Sequence, residues 1–303
     1  MALDFRAQQS SNQRKSYFLL LSMGVVVAAL IYAVGVWFGN DASVLFPIAI
    51  VIAIASVWGS YYNSDKLVLT MTGARVIDHD SAPQLFNLVH EVTIAAGIPM
   101  PKVAIVEDAA PNAFATGRDP DHAVIAFTTG ILQAMDREEL QGVAAHELAH
   151  VANRDTLVAA IAATTAGLIA LISDMAMRMA WFGGGRRNSD NNNPAIAIIG
   201  LVAIILAPIA ALLLKSAISR KREALADVTA VAFTRNPTGL RRALETLASD
   251  STVVQQRSNA VAHIWIESPL DTDATSKLFA THPPLAERIA ILRDMEKAGP
   301  SEV

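Results

Sequence analysis

The sequence predicts a mainly α-helical protein with a small β-sheet. Four hydrophobic membrane helices, paired as two hairpins, join a water-facing domain built from residues on either side of the second hairpin. Three observations predict this. The 303 residues are 52% hydrophobic and 17% charged, where a soluble domain carries about 25% charged residues. Four long apolar runs recur along the chain. Between and after them lie segments with ordinary helix and strand patterning, one of which carries His-Glu-x-x-His. The net charge of −4 offers no basic surplus for nucleic acid. The absence of cysteine excludes a disulfide scaffold and a Cys-ligated metal site.

Residues 1–15 form a polar N-terminal tail with Arg6, Arg14 and Lys15. From Ser16 to Phe38 the chain is apolar and uncharged, long enough to span a bilayer. The run exceeds a signal-peptide h-region and lacks a small-x-small cleavage site, so a retained helix is expected. Gly39-Asn40-Asp41 links it to a second run, Val44 to Trp58, with Tyr61 and Tyr62 suited to the interface. Pro47 near its start is tolerated there. Residues 16–62 thus read as the first transmembrane hairpin.

Residues 63–155 read as the first part of the water-facing domain. Ser81-Ala82-Pro83 opens a helix carrying Leu85, Leu88, Val89 and Val92, closed by Gly97 and Pro99. Short β-like runs follow at Val103–Val106, Ala113–Gly117 and Ala123–Phe127. Asn112, Ala113, Phe114 and Ala115 are expected to offer a sheet edge to which an extended peptide adds as a strand. An ordinary hairpin is the plainer reading of the same residues.

Asp136 is a good helix N-cap, and Glu139 three residues on closes a capping box. Leu140, Val143, Ala144, Leu148 and Val151 follow at helical spacing, so an amphipathic helix is expected. On it, His146 and His150 lie one above the other, about 6 Å apart along the axis, and both imidazoles can face one metal ion. Glu147 is turned by about 100° from His146. Its carboxylate stands beside such an ion, where a general base would act on water. The bland alternative is a surface helix with solvated His and Glu. A third ligand would separate the two, since catalytic zinc usually takes three protein ligands.

Residues 156–214 read as the second hairpin. Leu157 to Ile172 is uncharged, Asp174 and Arg178 sit at helical contact spacing, and Trp181-Phe182 suits an interface. A Gly- and Asn-rich loop at 183–193 leads to a fourth run, Pro194 to Leu214, with Pro208 as a kink site. Residues 215–303 form the second part of the domain. The basic stretch from Lys215 to Arg222 stops the membrane run and leads into Glu223 and Asp227, four apart on one helix face. Four spans return the chain to the side of His146, so Glu223 is the expected third ligand. Asp227 is placed to accept a hydrogen bond from a ligand His. On spacing alone, an ordinary helix with Arg220, Lys221 and Arg222 paired to these acids is equally supported. Further on, His282 and Arg288 are the available oxyanion donors or orienting groups, against plainer readings as a capping residue and a surface ion-pairing residue. Basic residues before the first apolar run (Arg6, Arg14, Lys15) and after the last (Lys215, Arg220, Lys221, Arg222) place the termini and the water-facing domain in the cytoplasm.

Three motifs taken together resemble one family. They are His146-Glu147-Leu148-Ala149-His150, Arg222-Glu223-Ala224-Leu225-Ala226-Asp227, and Thr281-His282-Pro283-Pro284-Leu285-Ala286-Glu287-Arg288-Ile289. With Pro111-Asn112-Ala113-Phe114-Ala115-Thr116-Gly117, they are similar to the HtpX heat-shock membrane zinc metalloproteases, relatives of the CAAX prenyl endopeptidases. The resemblance covers nearly the whole chain. It implies a zincin-like metalloprotease domain with one Zn2+ per chain, His146, His150 and Glu223 as ligands, and Glu147 as catalytic base. It further implies a cytoplasm-facing site in the bacterial inner membrane, quality control of membrane proteins, and autocleavage. The expected partners are polypeptide substrates, membrane proteins among them, and the lipid bilayer, with no nucleic acid. An intramembrane protease is disfavoured by Asp136, Arg137, Glu138 and Glu139 beside the motif. A non-catalytic membrane scaffold or chaperone-like protein would need no zinc and would tolerate loss of Glu147.

Overall fold

The structure is a computed structural model describing residues 5–37, 42–161, 164, 220–255, 261, 264–266 and 284–298. Most of the second hairpin and His282 therefore lie outside the described residues. Helices α1 (Phe5–Trp37) and α2 (Ala42–Tyr62) pack on each other, with Met23, Val27 and Ala53 in their seam. Along the pair Phe18, Leu21, Val25, Val51, Ile54 and Trp58 all point outward and exposed. Among the described residues no single helix is long and apolar enough to cross a membrane. Phe46–Tyr62 and α3 (Ser64–Thr72) together suffice by length and composition, with a bend of 72° between them.

Helix α1 starts well before the apolar run, and Asn12 in that polar part has a partner. Asn12 is buried and its Nδ2 donates to the carbonyl of Asn153 at 2.9 Å. Leu19 and Leu20 pack on Leu157, Val158 and Ile161, where the third run begins. The first helix thus touches the chain just after the His-Glu-x-x-His segment.

The sheet has four strands in the order β1 (Arg75–Ile77), β2 (Lys102–Val106), β4 (Val124–Thr128), β3 (Ala113–Thr116). Strands β2 and β4 are parallel; the outer pairs are antiparallel. Three strands fall where the sequence pattern puts them. Strand β1 has three residues and too little pattern to read. All five residues of β4 are buried, because the sheet is covered on both faces. Ile125 and Phe127 join the core with the helices, while Val124 and Ala126 point to the opposite face with Phe114 and Trp265. The period of two along a strand makes that division.

Helix α4 (Pro83–Ala96) begins on Pro83 and ends at Gly97, whose φ of 64° is the left-handed turn a glycine accepts without strain. After α5 (Thr129–Ala134) comes α6 (Arg137–Ala152), the central helix. It packs against β3, α4, α7 (Arg220–Thr234) and α8 (Pro237–Ser249), while α9 (Leu285–Ala298) closes on α8. The amphipathic pattern expected of α6 is not what is found. Every residue from Gly142 to Ala149 is buried, polar ones included, because neighbours surround it. Gly142 permits the closest of these approaches: a Cβ there would lie 2.4 Å from the backbone nitrogen of Leu240 in α8.

Candidate metal centre

Helix α6 is fixed at its start by the capping box. Asp136 Oδ1 accepts from the Glu139 amide and Glu139 Oε2 from the Asp136 amide, each at 2.9 Å. That sets the register carrying His146 and His150 to one place. Their Nε2 atoms stand 3.2 Å apart, with the rings edge to face. Glu223, on α7, brings Oε2 to 3.6 Å from His146 Nε2 and Oε1 to 3.8 Å from His150 Nε2. One ligand atom from each lies within 4.8 Å of the others. Donors about 2.0–2.1 Å from a tetrahedral zinc stand about 3.3 Å from each other. Two imidazoles and a carboxylate at these separations fit zinc in both chemistry and spacing.

Each imidazole is backed by a carboxylate that is itself held by an arginine. Asp227 Oδ1 lies 3.0 Å from His146 Nδ1. Arg288 grips Asp227 with both arms of its fork, Nη2 to Oδ1 at 2.7 Å and Nε to Oδ2 at 2.9 Å. Its Nη1 faces Glu223 Oε2 at 3.9 Å. Behind His150, both oxygens of Asp155 lie 3.1 Å from Nδ1, and Arg222 Nε donates to Oδ2 at 3.2 Å. All four of these supporting residues are buried.

The charges respond to that burial. Burial pushes His150 down, but the carboxylates of Asp155 and Glu223 outweigh it and raise the group to about 9. For His146, burial and Arg288 push down, while Asp227 and Glu223 push up and prevail. Burial would raise Asp227, yet Arg288 and His146 draw it down to about 2. Asp155 is likewise held low against its burial, by His150 and Arg222. The pocket is built to hold positive charge between the two imidazoles and Glu223. Glu147 is buried beside them, and its charge acts on both His150 and Arg288.

The other expected residues distribute as follows. Arg288 is buried against Asp227 and not on the surface, and its Nη2 is 3.3 Å from both ring nitrogens of His146. Asn112, Ala113, Phe114 and Ala115 sit at the outer strand of the sheet but are buried. The Ala113 carbonyl accepts from the amide of Ile266 at 3.0 Å, and Phe114 packs edge-on against Trp265. Arg222, which the plainer reading of the helix pairs with Glu223 or Asp227, reaches Asp155, because from its place on α7 its side chain meets the turn after α6. Asp155 itself escaped notice in the sequence. Its one signal is its position five residues after His150, just ahead of an apolar run.

Comparison with known proteins gives a consistent picture. The description "Peptidase family M48" matches residues 80–296. The chain is 43% identical over 291 residues to "Protease HtpX homolog" of Thermoanaerobacter pseudethanolicus, covering 95% of this chain and 96% of that one. It is 46% identical over 274 residues to the protein of the same description from Syntrophobacter fumaroxidans, covering 89% and 97%. Among solved structures, that of S. mikatae Ste24p aligns with TM-score 0.50 at 19% identity, over 94% of this chain and 66% of its own, a likeness of fold.

Proposed function

The chain belongs to peptidase family M48, and from that membership and the geometry of its buried site we propose that it is a zinc-dependent, membrane-integrated endopeptidase. The observation that carries this reading is the cluster of His146, His150 and Glu223 with Glu147 next to it in one buried pocket. The first three residues would hold the ion. When bound there, zinc lowers the pKa of water from 15.7 to about 7 and polarises the scissile carbonyl. Glu147 takes the proton of the attacking water and passes it to the leaving amine. Asp227 keeps His146 oriented, and Arg288 keeps Asp227 charged. The oxyanion would be stabilised by the zinc together with His282 or Arg288. Asn112 to Ala115 are the proposed edge for an extended polypeptide, which would have to displace Ile266 from the Ala113 carbonyl.

The protease domain is assembled from residues 63–155 and 215–303 around the second hairpin at 156–214, with the first hairpin at 16–62 and a cytoplasmic tail at 1–15. The outward apolar faces of α1 and α2 support the first membrane hairpin, since such surface is stable against lipid and unfavourable against water; the apolar runs within 156–214 support the second. Basic residues flanking the runs support an inner-membrane protein with the site and both termini in the cytoplasm. Substrates are polypeptides, misfolded or damaged membrane proteins foremost, and the role is quality control under stress.

The test is Glu147→Gln in purified, detergent-solubilised protein. It should retain about one zinc per chain and lose peptidase activity by a factor of roughly 10²–10⁴. Cleavage at the wild-type rate by this variant would remove Glu147 from the role of base.

A further inference from the structure

Two histidines of the metal centre are held in the same way, one by a pair that lies within the sequence motifs and one by a pair whose carboxylate, Asp155, lies outside them. Asp227 and Arg288 back His146. Asp155 and Arg222 back His150. The second pair depends on how α6 ends. The amide of Arg154 donates to the Val151 carbonyl and that of Asp155 to the His150 carbonyl, at 3.1 and 3.2 Å. This is the double hydrogen bond of a Schellman turn, whose left-handed position is usually a glycine. Here it is Arg154, at φ 55°. The turn folds the chain back so that the Asp155 carboxylate meets the ring of the residue five before it. It is also tied down elsewhere: the Asn153 carbonyl accepts from Asn12 of α1, and Thr156 Oγ1 donates to the Gly117 carbonyl at 3.0 Å.

From this geometry we infer that Asp155, clamped by Arg222, is a positioning residue that fixes His150 in the tautomer required of a metal ligand and locks α6 to α7 at the ligands. The inference rests on the zinc reading above. An Asp carboxylate only accepts hydrogen bonds, so in the neutral imidazole that binds metal Nδ1 of His150 carries the proton and Nε2 presents its lone pair. That Nε2 is the atom facing His146 and Glu223. Arg222 precedes Glu223 directly on α7, so its bond to Asp155 also sets where Glu223 stands relative to His150. Asp155 is 1% exposed, which removes water as a competing partner.

The arrangement makes a prediction that a merely structural role would not. In Asp155→Asn the amide has one acceptor and one donor side. Arg222 can only donate, so it draws the amide oxygen to the Oδ2 place and puts the NH2 group in the Oδ1 place. Both places are 3.1 Å from His150 Nδ1, which then meets one acceptor and one donor, and its tautomer is no longer fixed. Removing Arg222 as well frees the amide to turn and accept from Nδ1–H. Zinc affinity measured by competition with a chelator should therefore weaken tenfold to a hundredfold in Asp155→Asn. In Arg222→Met it should weaken several-fold. In the double variant it should recover several-fold relative to Asp155→Asn. Saturating zinc should restore one zinc per chain and a zinc-induced rise in melting temperature in all three. Wild-type affinity in Asp155→Asn, or a double variant binding no better than Asp155→Asn, overturns the inference. If Asp155→Asn does not fold even with zinc, Arg222→Met decides, and affinity within twofold of wild type overturns it. Wild-type protein that binds no zinc would refute the proposed function and this inference with it; zinc in the wild type with no effect of either variant refutes this inference alone.

Discussion

Replacing Arg288 by Met separates two roles for this residue, orienting a ligand and donating to substrate. Methionine keeps much of the stem and removes the guanidinium. Arg288 is 2% exposed and makes two charge-assisted hydrogen bonds to Asp227, at 2.7 and 2.9 Å. Breaking a buried pair by removing one partner costs about 3–5 kcal/mol, since the remaining charge stays buried. Asp227 can escape by taking a proton. From an ordinary carboxyl value of 3.8, that costs about 4 kcal/mol at pH 7, which sets the ceiling. The expected loss is thus about 3–4 kcal/mol. For a domain of this size it lowers the melting temperature by roughly 6–16 °C. The assay is thermal unfolding of the zinc-free protein in detergent, so that metal binding does not mask the loss. Zinc affinity should also fall by about tenfold to a hundredfold as His146 loses its fixed orientation. A change in stability under about 1 kcal/mol would refute the reasoning. Unchanged stability and zinc affinity with a large fall in kcat would make Arg288 an oxyanion donor instead.

Two further outcomes are expected. Gly142→Ala sets a methyl group 2.4 Å from the backbone nitrogen of Leu240, so α6 and α8 must separate. A loss of roughly 1–3 kcal/mol is expected, while Gly59→Ala, with nothing within 4 Å of the new atom, should be neutral or better; equal effects of the two would contradict the close approach. The pH response of His150 has a definite sign. Its folded value is raised from 6.5 to about 9, so the stability it gives the zinc-free protein is complete below pH 6.5 and lost as pH rises through about 9. Zinc binding must expel that proton, so zinc affinity should climb between pH 7 and 9 by about tenfold per unit from this group. A flat affinity across that interval would contradict the raised value.

What the sequence by itself determined is local. The spacing of His146 and His150, the Asp136–Glu139 capping box and the short β-like runs of β2, β3 and β4 are set by residues within a few positions of one another. Helix and strand periods are fixed by backbone geometry, so the residues that share a face can be counted off. Glu223 was half legible: its spacing to Asp227 marked a helix face, but the same letters fit a surface helix with paired charges. The tertiary structure decided the rest. Asp155 meets Arg222 across 67 positions, and Arg288 meets Asp227 across 61. No local period encodes such contacts, because they depend on how α6, α7 and α9 pack. The same holds for the burial of α6 on all sides and for the cover that Ile266 and Trp265 lay over β3. A charged side chain reads alike in sequence whether it faces water or a ligand. Burial, which removes water as an alternative partner, makes the difference.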